Sequence, residues 1–174
     1  MSEKWYVLSV FGKDQCGIVA QISNPLFDLN ANVCETSMCR LGDYFTILAF
    51  LTYQDDESNL HAALQAICSQ MQLNYHLDSL ASHDHSHSQP DVILHFHGND
   101  RSGLVAKVSS ALQQANINIL DLQSDVTGDA QSRQFLMTIE ADASQSTASL
   151  EDIKQSLKRD GISVRFDHID TLLA

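Results

Sequence analysis

Two prolines and a single tryptophan in 174 residues, with 44% hydrophobic and only 18% charged residues, exclude a proline-rich or wholly disordered chain. Basic residues are scarce. Ten Lys and Arg stand against 22 Asp and Glu, a formal net charge of −12. That balance excludes a protein that grips nucleic acid itself, because phosphate binding depends on cationic side chains and counterion release. It leaves open a regulator that reaches DNA through a partner protein. The acidity is even: residues 1–82 hold 3 basic and 9 acidic side chains, residues 83–174 hold 7 and 13, so each half stands at −6. Long apolar runs are absent too. The longest, over residues 45–51, is broken by Thr46 and falls far short of the roughly 18 residues that span a bilayer. The first residues, Met1-Ser2-Glu3-Lys4-Trp5, show no basic stretch, apolar core or cleavage site of a signal peptide. The four cysteines, Cys16, Cys34, Cys39 and Cys68, all lie in the first half without CxxC spacing. A secreted disulfide framework would not leave the second half bare. The expectation is a soluble, reduced, cytoplasmic protein without a membrane partner.

What is present is a repeat. Residues 12–23 read GKDQCGIVAQIS and residues 98–109 read GNDRSGLVAKVS. At an offset of 86, Gly12/Gly98, Asp14/Asp100, Gly17/Gly103, Val19/Val105, Ala20/Ala106 and Ser23/Ser109 are identical. The offset continues to Asn32/Asn118 and then becomes 90, because the second copy gains four residues before Phe135, the counterpart of Phe45. Two copies of roughly 80 residues make a pair of globular domains rather than a solenoid. The domains fall at residues 1–80 and 91–174, joined by a polar, His-rich linker over residues 81–90.

Both copies show one order of elements. Short apolar runs ending in Gly (residues 6–11 and 92–97) read as strands. Ile18, Ile22, Leu26 and Leu29, like Leu104, Val108, Leu112 and Ala115, are spaced for helices. Hairpins follow, at 33–40 with 44–53 and at 119–126 with 134–140. A second helix and a last strand close each copy. This is βαββαβ twice, an α+β ferredoxin-like plan of antiparallel sheets with helices on one face. Pro25 removes a donor within its helix and is expected to kink or shorten it.

The repeated Gly-x-Asp-x-x-Gly lies where a strand hands over to a helix. Two readings fit. In one, Asp caps the helix and Gly makes the turn. In the other, free N–H groups at the helix start attract a carboxylate while Asp14 or Asp100 attracts an ammonium, a receptor for a free α-amino acid. Asn32 and Asn118 would add an amide that both donates and accepts. No GxGxxG, P-loop, zincin spacing or nucleophile elbow occurs, so no enzyme and no nucleotide cofactor is expected.

The stretch GKDQCGIVA with NANV, and DRSGLVA with NINI in the second copy, closely resembles the ACT domain. A tandem of such domains without a catalytic domain is similar to the glycine cleavage system transcriptional repressor family. The resemblance implies regulation by a small amino acid, glycine first, through binding of a transcriptional activator protein rather than DNA. It implies a homodimer and ligand sites at domain interfaces. By position it assigns ligand contacts to Asp14, Gln15, Cys16, Gly17 and Asn32, and to Asp100, Arg101, Ser102, Gly103 and Asn118. Cys16 and Ser102 stand where ACT loops often carry Pro, and Gln15 where they often carry Arg. A regulatory subunit of a metabolic enzyme and a ligand-free interaction scaffold are the alternatives.

Other signals have plain readings beside functional ones. His83, His85 and His87 around Asp84 offer metal ligands or merely a solvated linker. His95 and His97 share one strand face, with His97 beside the loop. Cys16 at a helix start is a redox candidate or a small turn residue, and Cys34, Cys39 and Cys68 read as core or strand fillers. Leu48 and Phe50 fall on the sheet face that helices leave open, where self-association, a partner protein or the rest of the chain must cover them.

Overall fold

A computed structural model describes residues 4–81, 88–129 and 132–169. The chain divides into two compact units, Met1–His85 and Ser86–Ala174. The first contains β1 (Lys4–Lys13), α1 (Ile18–Asp28), β2 (Asn32–Leu41), β3 (Tyr44–Tyr53), α2 (Glu57–Met71) and β4 (Asn74–Leu80). The second contains β5 (Val92–Asn99), α3 (Leu104–Gln114), β6 (Asn118–Thr127), β7 (Gln134–Asp142), α4 (Leu150–Arg159) and β8 (Ser163–His168). Each sheet is antiparallel, in the order β2-β3-β1-β4 and β6-β7-β5-β8. This is the ferredoxin-like arrangement anticipated from the repeat. The histidines at 83, 85 and 87 lie outside the described residues.

Alternation along the strands sends one set of side chains into each core. Tyr6, Leu8 and Val10 of β1 and Phe45, Ile47, Ala49 and Leu51 of β3 meet Ile18, Ile22 and Leu26 of α1 and Leu60, Leu64 and Cys68 of α2. In the second unit Leu94 and Phe96 join Met137, Ile139, Leu104, Val108, Leu112, Ile153 and Leu157. Cys68 is buried as expected of a core filler, but Cys34 and Cys39 are exposed. They sit on β2, an edge strand all ten of whose residues are exposed. Pro25 lies inside α1, yet α1 runs 11 residues, as does α3. The proline does not shorten the helix: its missing donor comes near the C-terminal end, where few bonds remain to be lost.

The two repeated glycines have different structural causes. Gly12 and Gly98 sit where the loop after the second helix crosses the central strand. A Cβ on Gly12 would overlap Leu73, and one on Gly98 would lie 3.0 Å from the Gly161 carbonyl oxygen. Gly17 and Gly103 adopt left-handed backbone, with φ of 94° and 86°. A feature the sequence did not announce is a register shift in both outer strands, between Val33 and Glu35 and between Ile119 and Asp121, which marks a β-bulge.

In the second unit α3 and α4 are joined by an ion pair, Lys107 Nζ to Asp160 Oδ1 at 2.7 Å. The Lys107 hydrogen bond and charge, with Arg101 adding to the field, hold the Asp160 carboxyl below its ordinary value of 3.8. A carboxylate with a depressed folded pKa stabilises the fold above its unfolded value, and the contribution disappears as pH falls through the lower, folded value. The melting temperature of the wild type should therefore exceed that of Lys107→Met at pH 5, and the difference should close as pH drops well below 3.8. Replacing the fully buried Leu112 by Ala should cost about 2–5 kcal/mol of stability, read by urea unfolding.

Candidate functional site

Each central strand ends in the loop that the sequence marks as a candidate ligand receptor. The backbone N–H of Asp14 donates to Asp43 O at 2.8 Å and that of Asp100 to Arg133 O at 3.0 Å, which fastens the loop to the neighbouring hairpin. Neither aspartate caps its helix. The N-cap positions are Gly17 and Gly103, and neither helix start has a side-chain cap. The N–H groups of the first turn are therefore left without a side-chain acceptor, at the positive end of the helix dipole.

The next residue fastens the loop on its other side. Gln15 Nε2 donates to Met71 O at 2.8 Å, and an Arg101 guanidinium nitrogen donates to Asp160 O. Both acceptors lie at the C-terminal end of the second helix of their unit. These two side chains have a positioning contact in the fold, whatever else they touch.

The two aspartates differ in their surroundings. Asp14 Oδ2 pairs with Arg40 Nε at 3.0 Å. The Asp100 carboxylate has no side-chain partner among the described residues. Cys16 is an exposed free thiol and Ser102 an exposed hydroxyl.

The asparagines are elsewhere. Asn32 pairs with Thr52 and Asn118 with Asp142, whereas the loops adjoin Lys13 opposite Tyr44 and Asn99 opposite Gln134. A strand of ten residues in the first unit and nine in the second separates these ends, roughly 30 Å of chain. Asp14 and Asn32 of one unit cannot touch the same amino acid, nor can Asp100 and Asn118. Asn118 instead borders an open cavity of about 490 Å³ with Ser109, Gln113, Asn116, Asp142 and Gln145. Asn116, at φ 56°, donates to Gln145 O there at 2.9 Å. Nothing in the spacing of residues 143–149 signals that this loop folds against the end of α3, where the Ser146 hydroxyl and the Thr147 N–H both donate to Ala115 O.

His95 and His97 do share the open face of β5. His95 Nδ1 lies 3.2 Å from Thr138 Oγ1 and its Nε2 3.5 Å from Asp167 Oδ2, while His97 is exposed. Among the described residues no three His, Cys, Asp or Glu side chains are grouped to hold a metal ion. No helix among them is long and apolar enough to cross a membrane.

Comparison with known proteins agrees with the fold. Family models of the ACT domain match residues 5–78 and again residues 92–158. A UPF0237 protein from Streptococcus mutans is 29% identical over 84 residues, 47% of this chain and 96% of that protein. The crystal structure of an unknown protein from Galdieria sulphuraria superposes with a TM-score of 0.77 at 22% identity, covering 97% of this chain and 99% of the other. A crystal structure provisionally named a glycine cleavage system transcriptional repressor superposes with a TM-score of 0.69 at 16% identity, over 97% of this chain and 100% of that one. At these identities the two structural likenesses speak for the fold. With one model matched to each copy of the repeat, the chain belongs to the ACT-domain family and carries two ACT domains in tandem.

Proposed function

We propose that the chain is a non-enzymatic sensor of a small amino acid, glycine first, that represses transcription of a glycine cleavage system through a protein partner. The observation that carries this reading is the Asp100 carboxylate, without a side-chain partner among the described residues, beside the uncapped start of α3. An ammonium suits the carboxylate, and a carboxylate suits the free N–H groups of Leu104 and its neighbours. Ser102 and Gly103 lie between them in the chain, and Arg101 holds the loop in place by donating to Asp160 O. In the first unit Gln15, Cys16 and Gly17 form the corresponding loop, but Arg40 already neutralises Asp14. The β5–α3 loop is thus the stronger receptor.

Asn32 and Asn118 serve a bound amino acid only from another ACT domain, since each lies a strand's length from the loop of its own unit. The protein on this reading works as a cytoplasmic homodimer. The formal charge of −12 favours a protein target over DNA. The likeness to the structure provisionally named a glycine cleavage system transcriptional repressor supports the choice of regulated system. Ligand would act by its differential affinity for two arrangements of the sensor, one of which binds the activator.

Isothermal titration with glycine, then serine and alanine, tests the reading. One of them should bind saturably, and Asp100→Ala should weaken that binding about 10- to 100-fold, the worth of a charge-assisted hydrogen bond. Asp14→Ala should weaken it far less. No heat with any amino acid would overturn the sensor.

A further inference from the structure

The connection from β7 to α4, residues 143–149, is more than twice as long as its counterpart in the first unit, residues 54–56. It is tied down at several points. The N–H of Ala143 donates to Asp91 Oδ1 at 2.7 Å, and that of Ser144 donates to Asp142 Oδ1 at 3.0 Å. Ser146 Oγ lies 2.7 Å from Ala148 O and 3.1 Å from Ala115 O, and the Thr147 N–H donates to Ala115 O. Asn116 Nδ2 donates to Gln145 O from the end of α3. The loop is thus a fixed wall. It encloses, with α3 and the start of β6, the open cavity of about 490 Å³, within the range of about 300–1,000 Å³ of small-molecule sites.

The lining decides what fits. The side-chain amides of Gln113 and Gln145 border the cavity and have no hydrogen-bond partner among the described residues. Each offers two N–H donors and a carbonyl acceptor. Asp142 adds acceptors. The side chain and N–H of Ser144, then the Ser88 side chain, hold its carboxyl below the ordinary value of 3.8, so it is ionised at neutral pH. The serine donors also meet part of its charge, which lets it accept hydroxyls without a counter-cation. No lysine, arginine or aromatic ring lines the cavity, so a phosphate, a carboxylate or a stacked base finds no match there. Ile117 and Ile119 supply apolar atoms for C–H groups. We propose that this cavity binds an uncharged polyhydroxyl compound, a sugar or cyclitol, whose hydroxyls pair with the Gln113 and Gln145 amides and the Asp142 carboxylate. The first unit is not equipped for it. The counterpart of Gln113 there is Phe27, 78% exposed, and that of Asp142 is the buried Thr52. The site is independent of the effector loop, since Asp100 lies beyond the other end of the sheet.

Heteronuclear NMR on the full chain with D-glucose, D-ribose, myo-inositol and maltose tests this. At least one of them should shift the side-chain NH2 resonances of Gln113 and Gln145 saturably, at millimolar concentration or below. Gln113→Phe, which copies the first unit at an exposed position, should raise the dissociation constant about 10-fold while circular dichroism stays unchanged. Asp100→Ala should leave this binding as it is, whether or not glycine binds the loop. Glucose 6-phosphate should bind more weakly than glucose. The proposal is overturned if none of the four compounds moves those resonances, if Gln113→Phe binds as tightly as the wild type, or if Asp100→Ala abolishes binding. It is overturned equally if ethanolamine or glucose 6-phosphate moves them and the neutral compounds do not, since the ligand would then be an ionic one.

Discussion

The central strand of each sheet is the constraint on which the remaining structure hangs. β1 is paired along nearly its whole length with β3 on one side and β4 on the other, as β5 is with β7 and β8. A strand held on both sides cannot shift its register without turning its buried residues outward. Its last residues therefore deliver the following loop to a fixed place, and Gly12 and Gly98 let the loop after the second helix press against that strand end. The loop is then tied at two points, by the aspartate N–H to the hairpin and by Gln15 or Arg101 to the second helix. What is left over after this fastening is a carboxylate and the uncapped start of a helix, the two groups on which the proposed receptor rests.

Duplication makes each unit a control for the other. Features common to both belong to the fold: the left-handed glycines, the loop's ties and the bulged outer strand. Features found in one alone are free to serve a purpose. Asp14 is paired with Arg40, whereas Asp100 has no side-chain partner among the described residues. Phe11 and Tyr44 stack on the open face of the first sheet, where the second copy has His97 and Gln134.

The sequence made the repeat and its βαββαβ order readable because buried positions recur at strand and helix periods on both copies. It also showed that Leu48 and Phe50 must leave the core. It did not show that the loop and Asn32 or Asn118 lie at opposite ends of the sheet, since proximity in the motif hides the helix that carries the chain back along the strand's length. The cap was misleading for a related reason: Asp is the commoner capping residue, but here a left-handed glycine turns the chain and leaves aspartate free. The bulge at Cys34 left no trace, because one extra residue in a strand exposed along its whole length disturbs no apolar pattern, and the one at Leu120 shows only in the three-residue spacing of Ile119 and Leu122, which pack against the core. Cys34 and Cys39 belong to that exposed strand, so they fill a strand and not the core.

Those bulges have a consequence for how the molecule keeps its own size. β2 and β6 are sheet edges, each paired with a strand on one side only among the described residues, and a sheet edge is the template on which sheets of neighbouring molecules can grow without limit. An extra residue breaks the even spacing of that edge and twists it, and Glu35 and Arg40 beside it on β2 add charge that an incoming strand would have to bury. A crowded cell thereby meets an edge that resists runaway fibre growth, guarded by two residues that contribute nothing to either core.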